Sequence, residues 1–217
     1  MSESKHIIIW GAGGHARVIT DIVKLQGIFE IVGYLDSFNL SRKGKEFLGK
    51  PILGGYDQLD CLIEQGLSQV IIGFGDCKAR INAAAEAKKK GFKLITVIHP
   101  RAIVADDVII GAGTVIAANA VINPATIIGD NVIINTSSSV DHECRIADGV
   151  HICPGVHLSG GVTVEKAAWV GIGASVVANM RIGAGSVVGA GAVVVRNIPS
   201  GVVAYGNPAR VERVIEE

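Results

Sequence analysis

From Ile98 to Val194 every sixth residue is Val, Ile or Leu, seventeen positions without a slip in register. Four residues after each, the side chain is mostly small or β-branched, as in Ala102, Thr114, Ala120, Ser138 and Cys144. An α-helix repeats near 3.6 residues and a flat strand every two. A strict period of six satisfies neither. It suits a chain that turns a corner every six residues and sends two side chains inward from each straight side. Such a period predicts a β-helix, whose core forms only where several coils stack. The 28 glycines fit that chain, because tight corners need positive φ or close backbone approach.

Residues 6–97 follow a different pattern. His6–Trp10, Ile31–Leu35, Gln69–Gly73 and Phe92–Val97 read as strands, and His15–Gln26, Tyr56–Gln65 and Cys77–Lys90 as helices. The first helix has its apolar stripe at Val18, Ile22 and Leu25. Residues 37–51 are polar and read as a mobile loop. Strands alternating with helices predict a parallel sheet covered by helices. The turn after the first strand is G-x-G-x-x-A at Gly11, Gly13 and Ala16, and Asp36 lies 23 residues beyond Gly13. This approaches the dinucleotide fingerprint, in which glycines admit a phosphate to a helix amino-terminus and the acid reaches a ribose. The segment is too short for two mononucleotide halves, so it reads as half such a fold, holding one nucleotide. A glycine turn that only packs helix on strand is the competing explanation. His15 either faces the phosphate or caps the turn.

The boundaries expected are 1–97 for the α/β domain, 98–197 for the β-helix and 198–217 for a carboxy-terminal cap. The 20 Lys and Arg balance 20 Asp and Glu, which argues against nucleic acid or an anionic membrane as a bulk partner. The start, Met1 to Lys5, has no signal-peptide arrangement, and no apolar run approaches membrane-spanning length. The four cysteines form no CxxC pair and read as reduced thiols. A cytoplasmic protein without membrane insertion is expected.

His142 occupies the third position of its hexapeptide, at an outward corner, so it does not fill the core. An unperturbed imidazole titrates near a pKa of about 6.5 and suits proton abstraction near neutrality. Glu143 beside it is placed to hold the tautomer. Three readings compete for His142, His151 and His157: solvated surface groups, a metal site, or acid/base work at a subunit seam. Their spacings of nine and six residues do not stack them on one face of an eighteen-residue coil, so no metal is expected. Cys144 invites an acyl-cysteine mechanism, but its position in the hexapeptide is an inward one.

Gly11-Ala12-Gly13-Gly14-His15-Ala16, Gly33-Tyr34-Leu35-Asp36, Gly73-Phe74-Gly75-Asp76 and Asn135-Thr136-Ser137-Ser138-Ser139-Val140-Asp141-His142-Glu143-Cys144 together resemble the nucleotide-amino-sugar N-acetyltransferases and the related sialic acid O-acetyltransferases. The repeat itself resembles that of left-handed parallel β-helix hexapeptide acyltransferases. The resemblance implies a half-Rossmann α/β domain followed by a left-handed β-helix. It implies an acetyl-CoA-dependent N-acetyltransferase of a nucleotide-linked 4-amino-4,6-dideoxy sugar, in surface polysaccharide or glycan biosynthesis. It also implies a homotrimer with acetyl-CoA between neighbouring β-helices. By the same resemblance His142 is the base and Glu143 the acid supporting it. Asn135 belongs to the active-site segment, His151 lies near the thioester, and Gly160 gives a backbone donor for the thioester oxygen. Ile172, Gly173 and Ala190 hold the pantetheine arm. Gly13, Gly14, His15, Asp36 and Ser37 contact the nucleotide, with Asp76 and Cys77 as further contacts. Gly206-Asn207-Pro208-Ala209-Arg210 resembles the closing segment near the adenine end of CoA. Two alternatives stand beside this: O-acetylation of sialic acid or a related sugar, and a catalytically silent trimeric ligand-binding scaffold.

Overall fold

The computed structural model describes residues 5–216; residues 1–4 of the polar start and Glu217 lie outside them. The chain forms two compact units, Met1–Pro100 and Arg101–Glu217.

The first unit runs β1 (His6–Trp10), α1 (Gly14–Gln26), β2 (Glu30–Leu35), β3 (Glu46–Phe47), β4 (Lys50–Gly54), α2 (Leu59–Glu64), β5 (Gln69–Ile72), α3 (Cys77–Lys89) and β6 (Lys93–Leu94). The sheet order is β3-β4-β2-β1-β5-β6. Strand β1 lies centrally and pairs in parallel with β2 and β5. Its unbroken apolar run suits that place, because a parallel strand covered on both faces needs no polar side. Ile7, Ile8 and Ile9 are fully buried.

Three local expectations are corrected. The buried stripe of α1 is Ala16, Ile19, Ile22 and Val23, whereas Val18 and Leu25 are exposed. Residues 37–51 are not a featureless loop: a 3-10 turn at Leu40–Arg42 leads into the antiparallel pair β3 and β4, and β4 joins β2 in parallel. The stretch Phe92–Val97 divides into β6 and a separate strand, Val97–Ile98.

The second unit is a left-handed parallel β-helix, with two-residue strands that recur every six residues in three stacked sheets. The first face runs from Ile103–Val104 to Val193–Val194, and the second from Ile109–Ile110 to Arg181–Ile182. The third runs from Val115–Ile116 to Val187–Val188 and continues into Val202–Tyr205. Partners within each face are eighteen residues apart, as in Ser139↔His157 and Ile133↔His151. Every aliphatic position from Ile116 to Val194 is buried, whereas Val104 and Ile110 are only half-buried at the open first coil. Each such buried side chain contributes about 1.5–3 kcal/mol relative to exposure. The last strand, Arg210–Val214, is antiparallel to Val202–Tyr205, and the repeat gave no sign of it.

The corners show why glycine is common here. From Gly113 to Gly191 every sixth residue has φ between 54° and 73°. Glycine and asparagine fill most of these positions, as the left-handed region demands. Glu143 is among the exceptions, at φ 60°.

Candidate active site

A cleft of ≈390 Å³ opens in the first unit beside the Gly11–His15 turn. It is lined also by Asp36, Phe38, Asn39, Arg42 and the Gly73–Gly75 turn. Gly11 is required by the fold: its φ is 144°, and a Cβ would lie 2.6 Å from the Gly73 carbonyl oxygen. Gly13 and Gly14 differ. Neither has a positive φ, and a Cβ on either would meet no atom within 4 Å. Packing of helix on strand therefore does not explain them. They leave open backbone at the amino-terminus of the 13-residue α1, whose cap residue Gly13 supplies no side-chain bond. Unpaired N–H groups and the helix dipole make that end suited to an anion. His15, half-buried, lines the same cleft.

Asp36 is buried and shapes the far wall. Its Oδ1 accepts the N–H groups of Phe38 and Asn39 at 3.1 and 3.0 Å, and its Oδ2 accepts Arg42 at 2.7 Å. Arg42 also donates to the Ala12 carbonyl at 3.0 Å and so ties the wall to the glycine turn. Phe38, 77% exposed, stands edge-on to Phe74 with centroids 5.5 Å apart. Phe38, Asn39 and Arg42 lie in 37–51, which carries no periodic signal to mark them, and Phe74 belongs to the Gly73–Asp76 motif without any sign there that its ring forms a wall. Ser37 accepts a bond from Trp10 Nε1 at 2.9 Å and does not line the cleft. Asp76 caps α3 by accepting the N–H of Ala79 at 2.7 Å, and Cys77 is buried beside the Arg80 guanidinium. Neither lines the cleft. Arg80 is 1% exposed and donates to the Phe74 and Gly75 carbonyls at 3.3 and 2.7 Å, which fixes the second turn. Burial pushes its pKa down.

In the β-helix the candidate residues fall on two different corners of the coil. The corner between the first and second faces carries His142, Glu143 and, one coil on, Gly160. Glu143 Oε2 lies 3.0 Å from His142 Nδ1. A carboxylate only accepts, so the neutral ring carries its proton on Nδ1 and has its lone pair on Nε2. Among the described residues nothing bonds to that Nε2. The ring lies over Gly160, where a Cβ would come within 2.6 Å of Nε2. Asp141 sets the backbone: its Oδ1 accepts the His142 N–H and the Asn123 amide, both at 2.8 Å. The Asn123 bond, then that N–H, hold the Asp141 carboxyl below its ordinary range. Thr126, inside the coil, donates to the Asp141 carbonyl at 2.9 Å. Among the described residues the N–H of Gly160 meets no acceptor. Cys144 points inward, is fully buried, and has its thiol pKa pushed up by burial. It is a poor nucleophile.

The corner between the third and first faces carries Asn135, Ile172, Gly173 and Ala190. Asn135 Nδ2 lies 3.1 Å from Nε2 of His151, the outward residue of the adjoining strand. His151 is 8% exposed and stacks on Trp169. Ile172 is 61% exposed, and Gly173 and Ala190 are exposed above it. This strip of small and apolar groups suits a thin flexible ligand. His157 faces outward on the first face and pairs with Ser139 at 2.8 Å. Among the described residues no group of three or more His, Cys, Asp or Glu is placed to hold a metal ion. No helix among them is long and apolar enough to cross a membrane.

Residues 6–87 match the PglD N-terminal domain family. UDP-N-acetylbacillosamine N-acetyltransferase of Bacillus subtilis is 39% identical over 113 residues, 51% of this chain and about half of that enzyme's length, 50%. PerB from Caulobacter crescentus, solved with CoA and GDP-perosamine, is 38% identical with a TM-score of 0.91, over 96% of this chain and 97% of that one. Variants of that organism's perosamine N-acetyltransferase with one histidine changed to Asn or Ala also hold CoA and GDP-perosamine. The acetyltransferase domain of PglB from Neisseria gonorrhoeae, solved with acetyl coenzyme A, is 35% identical with a TM-score of 0.90, over 96% of this chain and 100% of that one.

Proposed function

The chain belongs to the nucleotide-amino-sugar N-acetyltransferases, and from that premise we propose that it transfers acetyl from acetyl-CoA to the amine of a nucleotide-linked 4-amino-4,6-dideoxy sugar. The observation that carries the reading is the Glu143–His142–Gly160 corner. It joins a lone pair oriented by a carboxylate to an unpaired backbone donor.

In the proposed step the sugar amine attacks the thioester carbonyl carbon, and His142 Nε2 takes the amine proton. The oxyanion formed faces the Gly160 N–H. Collapse breaks the C–S bond, and the imidazolium returns its proton to the departing thiolate. The buried thiol of Cys144 supports direct transfer over an acyl-cysteine route. The nucleotide occupies the cleft, with its phosphates at Gly13 and Gly14 and its base against Phe38 and Phe74. Asp36 acts mainly by shaping that wall, since its carboxylate already accepts three bonds. Asp76, Cys77 and Ser37 act from behind the cleft.

Asn135, His151, Ile172, Gly173 and Ala190 occupy a different corner from His142. A cytoplasmic homotrimer that sets one corner of each subunit against the other corner of its neighbour would complete the site, with the pantetheine arm along Ile172 and Gly173. Sedimentation is expected to give a trimer, and a fully active monomer at assay concentration would refute it. A ligand that binds only the folded state raises apparent stability. Thermal unfolding with CoA and with UDP-, GDP- and CMP-linked amino sugars should show protection by CoA and by one base class. Protection by no nucleotide sugar would overturn the proposal.

A further inference from the structure

We infer that Thr126 is a positioning residue for acetyl transfer: from inside the coil its hydroxyl sets the backbone that carries His142 and Glu143. For its part in turnover this deepens the acetyl-transfer reading and rests on it. Val108, Thr126, Cys144, Val162 and Met180 stack at one-coil intervals inside the corner between the first and second faces. Thr126 is fully buried, as is Val162, so the coil core itself asks only for bulk at this place. The Thr126 hydroxyl makes two bonds to the next coil. It donates to the Asp141 carbonyl at 2.9 Å and accepts the Cys144 N–H at 3.2 Å. A carbonyl only accepts and an N–H only donates, so both roles of the hydroxyl are fixed. The residues held between those two bonds are His142 and Glu143, the latter at the left-handed φ of 60°.

The Asp141 carbonyl and the His142 N–H belong to one trans peptide and point opposite ways. With the carbonyl drawn inward to Thr126, the N–H faces outward, where Asp141 Oδ1 accepts it at 2.8 Å. The arrangement recurs one coil on. Cys144 Sγ lies 3.3 Å from the Ser159 carbonyl, whose peptide carries the Gly160 N–H. A thiol is a weak donor, so Thr126 is the firmer hold of the two. Thr114 supplies an internal comparison. Its hydroxyl donates to the Gly129 carbonyl at 2.9 Å and accepts the Val132 N–H at 3.1 Å. That is the same pair of bonds at the corner between the second and third faces, away from His142.

Steady-state kinetics and thermal unfolding of full-chain variants test it. Thr126→Val keeps the shape and removes the hydroxyl. It should lower kcat by about 10²-fold, the scale of misplacing a reacting group by about 1 Å, with KM for both substrates little changed. Thr126→Ser, which restores the hydroxyl, should return kcat close to wild type. Thr114→Val should lower the unfolding midpoint as Thr126→Val does and leave kcat unchanged. In a His142→Ala background Thr126→Val should remove little further turnover, because residues that act through one group are not additive. Imidazole ¹⁵N NMR reads the geometry apart from turnover: the His142 signals should shift in Thr126→Val and stay in place in Thr114→Val. Unchanged kcat in Thr126→Val, an equal loss in Thr114→Val, or an undiminished further loss in His142→Ala would overturn the inference. Should Thr126→Val not fold, Thr126→Cys takes its place, since Cys144 shows that a thiol fits this corner; kcat should fall, and an unchanged kcat would overturn the inference. If wild type acetylates no nucleotide amino sugar, the acetyl-transfer reading fails and the role in turnover with it, whereas unshifted His142 signals would refute the positioning itself.

Discussion

At the corner between the second and third faces, Asp148 Oδ1 accepts the N–H of Asp130 one coil below, and Asp130 Oδ1 accepts that of Ala112, both at 2.8 Å. At the corner between the first and second faces, the equivalent positions are Pro124, His142 and Gly160. Pro124 has no N–H to cap, His142 has its own N–H capped by Asp141, and Gly160 has no side chain. The backbone is the same at both corners, left-handed at every sixth residue. One corner satisfies itself from coil to coil. The other leaves, among the described residues, an imidazole lone pair and an amide N–H without partners, which is the pair of groups that the proposed transfer uses.

The largest expected effect is at His142. His142→Ala should lower kcat by roughly 10²–10⁴-fold, the worth of a positioned base, with KM for both substrates little changed. His142→Asn should behave alike, because Asn accepts no proton. Near-normal turnover of His142→Ala would break the comparison of the corners outright.

Gly160→Ala comes next. Its backbone φ needs no glycine, but the added methyl meets the imidazole. The ring must move, and displacement of a reacting group by about 1 Å costs about 10²-fold in rate. The unfolding midpoint should stay near that of wild type. Asp148→Ala is the converse experiment. It should cost about 1 kcal/mol of stability, the scale of one hydrogen bond, and leave turnover unchanged. Loss of turnover there would mean that the two corners do not differ in function.

Glu143 shows the two demands in conflict. A left-handed backbone disfavours a side chain by about 1–2 kcal/mol, and glycine recovers part of that. Glu143→Gly should therefore raise stability by up to about 1 kcal/mol in urea denaturation while turnover falls. Glu143→Gln should lose turnover without that gain. Cys144→Ala has the smallest effect: activity should persist, and thiol reagents should not inactivate the folded enzyme.

Much of this was legible in the sequence, and the reasons differ by region. The aliphatic series gave the β-helix because each coil repeats the same inward geometry, and it placed His142 outward and Cys144 inward. Eighteen-residue arithmetic put Gly160 above His142, though not the ring across its Cα. Asn135 and His151 are sixteen residues apart and meet because two residues before a one-coil step is the strand that enters the same corner. In the first unit the glycine turn was legible, but the opposite wall was not. Arg42 reaches it through a bond to Asp36 and another to Ala12, thirty residues away, and no local pattern marks such a contact. The stripe of α1 departs from Val18, Ile22 and Leu25 because the helix packs its small Ala16 next to the Gly73 turn and buries Ile19 and Val23 on the same side.

The central claim is that this open corner moves an acetyl group onto a sugar amine. It is tested most directly by incubating the protein with acetyl-CoA and a nucleotide-linked 4-amino-4,6-dideoxy sugar. Released thiol is counted and the acetylated position located by NMR. The account predicts one thiol per acetylated sugar, with the acetyl group on the amine nitrogen, and loss of both signals in His142→Ala. Acetyl found on a hydroxyl, or thiol release that persists in His142→Ala, would contradict it.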